Sequence, residues 1–135
     1  MQAPLSGVRI LDLSAVVSGP MATGILADQG ADVIKVETQG GDLTRRVGPI
    51  KGDMTSLFAT INRGKRSIVL DLKQEAARTI LRELAEKADV LVENFRPGAM
   101  QRLGFGYEQV KAWNPRIVYL SISGFGQTGP RSAQP

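Results

Sequence analysis

Short runs of apolar residues alternate with amphipathic stretches along this chain. Five of the runs are rich in Val, Ile and Leu and are bounded by Gly, Pro or charged residues, a pattern that predicts strands. These runs are residues 8–13, 31–37, 67–72, 89–94 and 116–122. Because helical patterns separate them, the strands are expected to form βαβ units in a mostly parallel sheet.

Helix signals stand between the predicted strands. Pro20 is expected to open the first helix and Gly30 to close it. The strongest helical pattern has apolar residues at three- and four-residue steps, with charged residues between them. Its inward-facing members are Ala77, Ile80, Leu81, Leu84 and Ala88. Residues 98–113 are expected to form short helical turns, whose inward side chains are Leu103, Val110 and Trp113.

The second and third predicted strands are joined by segment 38–52, which is rich in Gly and charge and is expected to be a loop. Asp53 is the expected N-cap of a short helix that contains Leu57, Phe58 and Ile61. Together the elements predict an α/β fold over residues 1–135, with a Rossmann-like parallel sheet and helices on both faces. Ligands of such folds bind beyond the carboxyl ends of the strands, so the loops there form the candidate site.

Composition narrows the chemistry of that site. The 135 residues include no His and no Cys, which excludes thiol nucleophiles, imidazole bases and zinc sites built from either, so we expect no metal site. Seventeen basic against thirteen acidic residues give a net charge of +4, which suits a small anionic ligand. Aromatic residues make up only 5%, too few for base stacking, and we expect no nucleic-acid partner.

Neither a secretion signal nor a membrane span is expected. The first residues lack the basic and apolar regions of a signal peptide. The apolar runs are broken by Gly, Pro or charge well short of the about 18 residues that a spanning helix needs. The sequence therefore favours a soluble, cytoplasmic protein without a membrane partner.

Three of the loops admit both a binding and a purely structural interpretation. The first, residues 14–20, leads into a helix N-terminus that could bind an anion, or it is an ordinary turn with Ser18 as N-cap. Glu37 could hold a ribose hydroxyl, or the Gly-Gly pair after it simply marks a turn. Lys73 could reach a phosphate, or it marks the start of a surface helix.

The loop after the fourth predicted strand, Glu93–Gly98, combines the most chemistry. Asn94 could donate to or accept from a ligand, and Arg96 could clamp a phosphate. Pro97 and Gly98 then fix the backbone. The alternative is a polar turn without a ligand.

Residues 124–129 match the G-x-G-x-x-G pattern of dinucleotide sites. That fingerprint belongs after the first strand and before a helix, whereas here it follows the fifth strand. A glycine-rich loop is therefore favoured over a nicotinamide-cofactor site. Taken together, the five loops indicate an extended, partly anionic small-molecule ligand.

The sequence resembles the class III coenzyme A transferase family, which includes formyl-CoA transferase, carnitine CoA-transferases and α-methylacyl-CoA racemases. The matching motifs stand in family order at near-family spacing and cover essentially the whole chain. They are residues 4–13, 19–20, 30–37, 41–45, 62–68, 70–73, 88–98, 103–104, 114–116 and 123–130.

The resemblance implies a cytoplasmic homodimer of interlocked subunits, each with a large Rossmann-like domain and a smaller one. In the family's transferases an Asp carboxylate attacks an acyl-CoA thioester, and a mixed anhydride forms as CoA leaves. CoA then returns to give an aspartyl thioester and passes from it to an acceptor carboxylic acid. CoA is thus a substrate, and no tightly bound cofactor is implied. The family's CoA contacts fall here on Val17, Ser18, Leu70, Asp71, Leu72, Lys73, Asn94, Phe95, Arg96 and Arg102. Thr38 stands where members often carry a CoA-binding Arg.

Members of that family are about three times longer than one domain of this size. The resemblance implies that the chain is the N-terminal part of the large domain and that the catalytic Asp lies beyond Pro135. No residue of the chain is then a candidate nucleophile, and the chain by itself is expected to be inactive in acyl transfer. Two alternatives remain: an α-methylacyl-CoA racemase, and an inactive remnant or CoA-binding module.

Overall fold

A five-stranded sheet forms the centre of the computed structural model, which describes residues 2–52, 54–132 and 134. The strands, including those of a separate two-stranded hairpin, are β1 (Arg9–Asp12), β2 (Asp32–Glu37), β3 (Ile50–Lys51), β4 (Met54–Thr55), β5 (Arg66–Val69), β6 (Val90–Glu93) and β7 (Val118–Ser121). The helices are α1 (Ser18–Asp28), α2 (Ser56–Ile61), α3 (Glu75–Lys87), α4 (Ala99–Arg102) and α5 (Tyr107–Trp113).

The central sheet has the order β5-β2-β1-β6-β7, and all its strands are parallel. The chain runs outward from β1 to β5, crosses back through α3, and continues with β6 on the other side of β1. The switch in direction falls between β1 and β6, where an open α/β sheet binds its ligand. The predicted α/β class and parallel sheet are confirmed.

Two apolar layers cover the two faces of the sheet, because successive side chains of a strand point to opposite sides. Ile10, Val33 and Val92 lie on one face and pack with Leu26 and Ala27 of α1. Leu11 and Leu91 lie on the other face, under the helices that follow β5 and β6. The buried residues of that second layer include Leu81, Ala85, Met100, Phe105 and Val110.

The buried side of α3 differs from the prediction at two positions, Ile80 and Ala85. Ala77 and Leu81 are buried as expected, but Ile80 is 43% exposed, and Ala85, which the pattern left out, is fully buried. The inward stripe therefore advances in four-residue steps. Two of its three members are alanines, so the helix lies close to the sheet and leaves Ile80 beyond the contact.

Helix starts and the segment after β2 also differ from prediction. The N-cap of α1 is Val17, without a side-chain hydrogen bond, and Ser18 is the first helical residue instead of the cap. Segment 38–52 is not all loop, because it contains a 3₁₀ turn (Leu43–Arg46) and β3. Asp53 lies outside the described residues, and the side chain of Thr55 caps α2 by accepting the Phe58 N–H.

Candidate functional site

A cleft opens at the carboxyl ends of the sheet strands. Its first cavity has a volume of about 200 Å³ and is walled mostly by apolar side chains from the loops after β1, β2, β5 and β6. The lining residues are Leu13, Val36, Glu37, Thr38, Leu70, Asp71, Leu72, Lys73, Phe95 and Leu103. A flat, apolar group fits such walls, while the exposed Lys73 brings a positive charge to the rim.

A second cavity, of about 490 Å³, adjoins the switch point between β1 and β6. The start of α1 and the loops after β6 and β7 form its walls, with Ser18, Asn94, Phe95, Arg96, Pro97 and Ser123 among its lining residues. Phe95 is among the lining residues of both cavities, so this one side chain borders each of them.

Eight of the ten residues singled out from the sequence line one or both of these cavities. The other two lie beside them: Val17 is exposed and precedes Ser18, and Arg102 is exposed at the end of α4. The predicted residues therefore gather at one edge of the sheet, although they come from four separate stretches of chain. Parallel strands bring their carboxyl ends together, which is why loops distant in sequence meet.

The Pro97-Gly98 turn ends the loop after β6 and leads into α4. Gly98 has φ +82°, a conformation that disfavours any residue with a Cβ, and it immediately precedes α4. A Cβ at this position would also lie 3.0 Å from a terminal nitrogen of Arg102. The turn thus brings the Arg102 side chain back alongside the loop that holds Arg96.

Two buried ion pairs lie behind the first loop, on the α1 face of the sheet. Lys65 Nζ lies 2.9 Å from Asp12 Oδ2, and Lys35 Nζ lies 3.0 Å from Asp42 Oδ2. All four side chains are at most 2% exposed. Burial lowers the pKa of Lys65, and the Asp12 carboxylate opposes that shift. The Lys35–Asp42 contact lies outside hydrogen-bond geometry, so Asp42 Oδ2 is held by charge alone.

Glu37 is tied into the same buried cluster. Its carboxylate accepts hydrogen bonds from Arg45, at 2.7 and 2.8 Å, from the hydroxyl of Ser67 and from the backbone N–H of Asp42. Burial raises the pKa of Glu37, but these donors outweigh it and bring the pKa down to about 2. Because both of its oxygens accept hydrogen bonds within the chain, the Glu37 carboxylate has a structural role. The Gly-Gly pair that follows it forms a turn, in which the Gly41 N–H donates to the Thr38 carbonyl.

The pKa of Asp42 is lowered in the same way. Burial raises it, while hydrogen bonds from the N–H and hydroxyl of Thr44 and the nearby charge of Lys35 outweigh that effect. Sequence reasoning missed this cluster of Asp12, Lys35, Asp42 and Lys65. One signal was available: Asp12 and Lys35 stand two residues after Ile10 and Val33, so strand alternation puts them on the same buried face.

Comparison with known proteins gives a consistent result. The family model described as CoA-transferase family III matches residues 5–135. An acetyl-CoA:oxalate CoA-transferase of Acetobacter aceti is 53% identical over 99% of this chain and 35% of its own length. A mouse succinyl-CoA:glutarate CoA-transferase is 49% identical over 96% of this chain and 30% of its own length.

Solved structures show the same backbone. A CAIB/BAIF family protein from Brucella suis superposes with a TM-score of 0.95 at 42% identity, covering 99% of this chain and 37% of that one. This chain spans about a third of the length of the curated relatives it matches. Among the described residues, no helix has the length and apolar character to cross a bilayer.

Proposed function

The chain belongs to CoA-transferase family III, and from that membership we propose that it supplies the CoA-binding part of an enzyme that exchanges CoA between an acyl-CoA and a carboxylic acid. The relatives reported above carry names of this reaction, with oxalate or glutarate as the acid. Those names favour acyl transfer over the racemase alternative. They leave the acyl group and the acid of this protein open.

The observation that carries the proposal is that two cavities at the strand ends share Phe95 as a lining residue. CoA is a phosphorylated nucleotide joined to a long, thin arm that ends in sulfur. A ligand of this shape needs a slot for a flat base, positive charge for its phosphates and a channel that leads away from the slot. The cleft offers apolar walls in the first cavity, the cations Lys73 and Arg96 in the two linings, and a second cavity that Phe95 also borders.

We propose that the nucleotide occupies the first cavity. Leu70, Leu72 and Phe95 provide apolar surface for the faces of the base. Lys73 and Arg96 line the two cavities and are exposed, and the exposed Arg102 side chain lies beside Gly98, so three cations are available for the phosphates. Thr38 adds a neutral side chain at this cavity, where an Arg is common in the family.

The arm of CoA would then pass Phe95 into the second cavity. There it reaches Asn94, Ser18 and, at the start of α1, the exposed Val17. The thioester end would come to lie beside the loop after β1. This arrangement brings CoA to the four stretches of chain that hold the ten positions given by the family resemblance.

We also propose that the 135-residue chain binds CoA without turning over acyl-CoA. The buried carboxylates beside the cleft, Asp12, Glu37 and Asp42, are paired with cations. Asp71 lines the first cavity, and its carboxylate accepts the backbone N–H of Lys73. A carboxylate nucleophile must be free to attack the thioester carbon. For the full-length enzyme we propose the complete reaction, a cytoplasmic location and an interlocked homodimer, as the family resemblance implies.

Isothermal titration of CoA into the purified chain tests the binding proposal. The wild-type chain should bind, and Arg96→Ala should raise the dissociation constant about tenfold, the loss expected for one charge-assisted hydrogen bond. Arg116→Ala is the matched control, because Arg116 is exposed at the opposite, amino-terminal edge of the sheet. NAD at the same concentration should not displace CoA.

Three results would contradict the proposal. They are a folded wild-type chain that does not bind CoA, equal weakening by Arg96→Ala and Arg116→Ala, and displacement of CoA by NAD. Formation of oxalyl-CoA and acetate from acetyl-CoA and oxalate, above a blank without protein, would contradict the expected inactivity of the chain alone.

A further inference from the structure

In the loop after β1, side chains hydrogen-bond to five consecutive backbone polar groups. The first of these groups is the N–H of Ser14 and the last is the N–H of Val16. Asp12 Oδ1 accepts the Ser14 N–H at 3.0 Å, and Lys35 Nζ donates to the Ser14 carbonyl at 2.9 Å. Asp42 Oδ1 accepts the Val16 N–H at 3.3 Å. The buried charges behind the loop thus bond directly to its backbone.

Asn94 hydrogen-bonds to Ala15, the residue between Ser14 and Val16. Its Oδ1 accepts the Ala15 N–H at 2.8 Å, and its Nδ2 donates to the Ala15 carbonyl at 2.7 Å. The amide therefore pairs with Ala15 as a neighbouring strand would, across 79 positions of sequence. Its second N–H points toward the Ser18 hydroxyl at 3.5 Å. Little of the amide remains for a ligand.

Val16 occupies a conformation that it would not adopt without such support. Its φ is +66°, the single positive value among the described residues other than glycine. The left-handed region is disfavoured for residues with a Cβ, and most strongly for β-branched ones. Strained residues of this kind persist only where the surroundings determine them fully. Here the hydrogen bonds from four side chains hold the loop backbone in this conformation. They belong to Asp12, Lys35, Asp42 and Asn94.

We propose that Asn94 is a positioning residue: it holds Val16 in the left-handed conformation, and thereby sets the start of α1 for the thioester arm of CoA. The inference rests on the function proposed above and deepens it. It assigns Asn94 an action through the loop backbone instead of through side-chain contact with CoA. Ser18, the first residue of α1, follows Val16 by two positions and lines the second cavity.

Two variants and two ligands separate this role from the alternatives. Asn94→Ala removes both bonds to Ala15, so Val16 can relax to a negative φ. The Kd of CoA should then rise about tenfold, while the Kd of 3′-phospho-ADP, the nucleotide half of CoA, should change less than about twofold. Hydrogen exchange of the Ala15 and Val16 amides, followed by NMR, should become faster in Asn94→Ala, while exchange in β1 and β6 remains slow.

The second variant tests the mechanism by rescue. Glycine adopts a left-handed conformation without penalty, so Val16→Gly should bind CoA as the wild type does. Combined with Asn94→Ala, it should restore most of the lost affinity, because the loop no longer needs the amide to hold that conformation. A direct contact between the Asn94 amide and CoA would give no rescue.

Asn114→Ala is the matched control. The Asn114 amide also bonds backbone carbonyls, those of Ala85 and Ala88, but at the amino-terminal edge of the sheet. It should lower stability and leave the ratio of the two Kd values unchanged.

Unchanged exchange at Ala15 and Val16 in Asn94→Ala would overturn the positioning role. So would equal weakening of both ligands, or no rescue by Val16→Gly. A wild-type chain that binds neither ligand would refute the proposed CoA site itself, and with it the assigned ligand role of the loop. If the wild-type chain binds both ligands and Asn94→Ala leaves both Kd values unchanged, the positioning role alone is refuted.

Discussion

At the residue scale, the stability of the fold depends on buried charges that lie beside the candidate site. Lys65 is 2% exposed at its side chain, and its ammonium has three oxygen partners: Asp12 Oδ2, Asn62 Oδ1 and the Pro20 carbonyl. Asp12 is fully buried and also accepts from Ser14 and Thr23. Such a pair adds little net stability over apolar residues, but either partner alone is costly to bury.

Asp12→Asn should therefore destabilise the fold strongly. It leaves the Lys65 ammonium without its counter-charge, which costs about 3–5 kcal/mol in comparable cases. Urea unfolding measures the change. Glu86→Gln makes the same chemical change in the exposed Arg82–Glu86 pair and should cost at most about 1 kcal/mol. Similar losses of unfolding free energy in the two variants would show that burial of the charge does not cause the destabilisation.

Glu37 gives the fold a dependence on acid. Its pKa is about 2 in the folded chain against 4.5 for an unperturbed group. A lowered pKa stabilises the fold above pH 4.5, and this contribution disappears as the pH falls from there toward 2. The loss is on the order of 3 kcal/mol.

Urea unfolding at about pH 6 and about pH 3 checks this expectation. The wild type should lose more stability between the two than Glu37→Gln, which has no carboxylate to protonate at this position. The variant keeps part of the dependence, since the pKa of Asp42 is lowered too. Equal losses in the two proteins would refute the assignment to Glu37.

At the scale of elements, α1 and β1 are fixed by one close approach. A Cβ on Gly19 would stand 2.2 Å from both Cβ and Oγ of Ser14, so only glycine lets the first turn of α1 lie against the loop after β1. The neighbouring Pro20 is buried as well. The entry angle of α1 thus follows from a small residue that no periodicity marks.

Gly19→Ala should destabilise the chain by about 1–3 kcal/mol, because a methyl group is forced into a packed contact. The shift of the thermal or urea midpoint measures the loss. Gly124→Ala is the control, since nothing lies within 4 Å of a Cβ there and its φ is not positive. A neutral Gly19→Ala would mean that α1 can move away from the loop without cost.

At the scale of the whole molecule, the two edges of the sheet differ. The β5 edge exposes the apolar Val69 (58%), but it begins with the charged Arg66, which pairs with Asp32. The β7 edge carries Val118, 61% exposed, and Leu120, 44% exposed. An apolar edge strand with unpaired backbone groups is a template for pairing with another chain.

We expect the 135-residue chain to self-associate at high concentration through β7. Val118→Lys places a charge on that edge and should shift sedimentation velocity profiles toward the monomer. Ile25→Lys, at a similarly exposed site on α1, should have a smaller effect if the strand edge is responsible. Equal effects of both variants would point to general surface hydrophobicity, and a monomeric wild type would refute the expectation.

Local sequence patterns predicted the five strands, the main helices, the parallel sheet and the edge at which the candidate site lies. These features follow from local periodicity and from βαβ geometry, which a few neighbouring residues specify. Even so, Ile80 was assigned to the buried face because helical periodicity does not tell how closely a helix approaches the sheet. The position of Ala85 against the sheet settled that question.

Which buried groups contact each other became known from the three-dimensional structure. Asp12 and Lys65 are 53 residues apart, and Ala15 and Asn94 are 79 apart. No local pattern carries the identity of such partners, since it depends on how loops from different strands come together. The left-handed Val16 is of the same kind: nothing in a valine favours that conformation, and the side chains around it impose it.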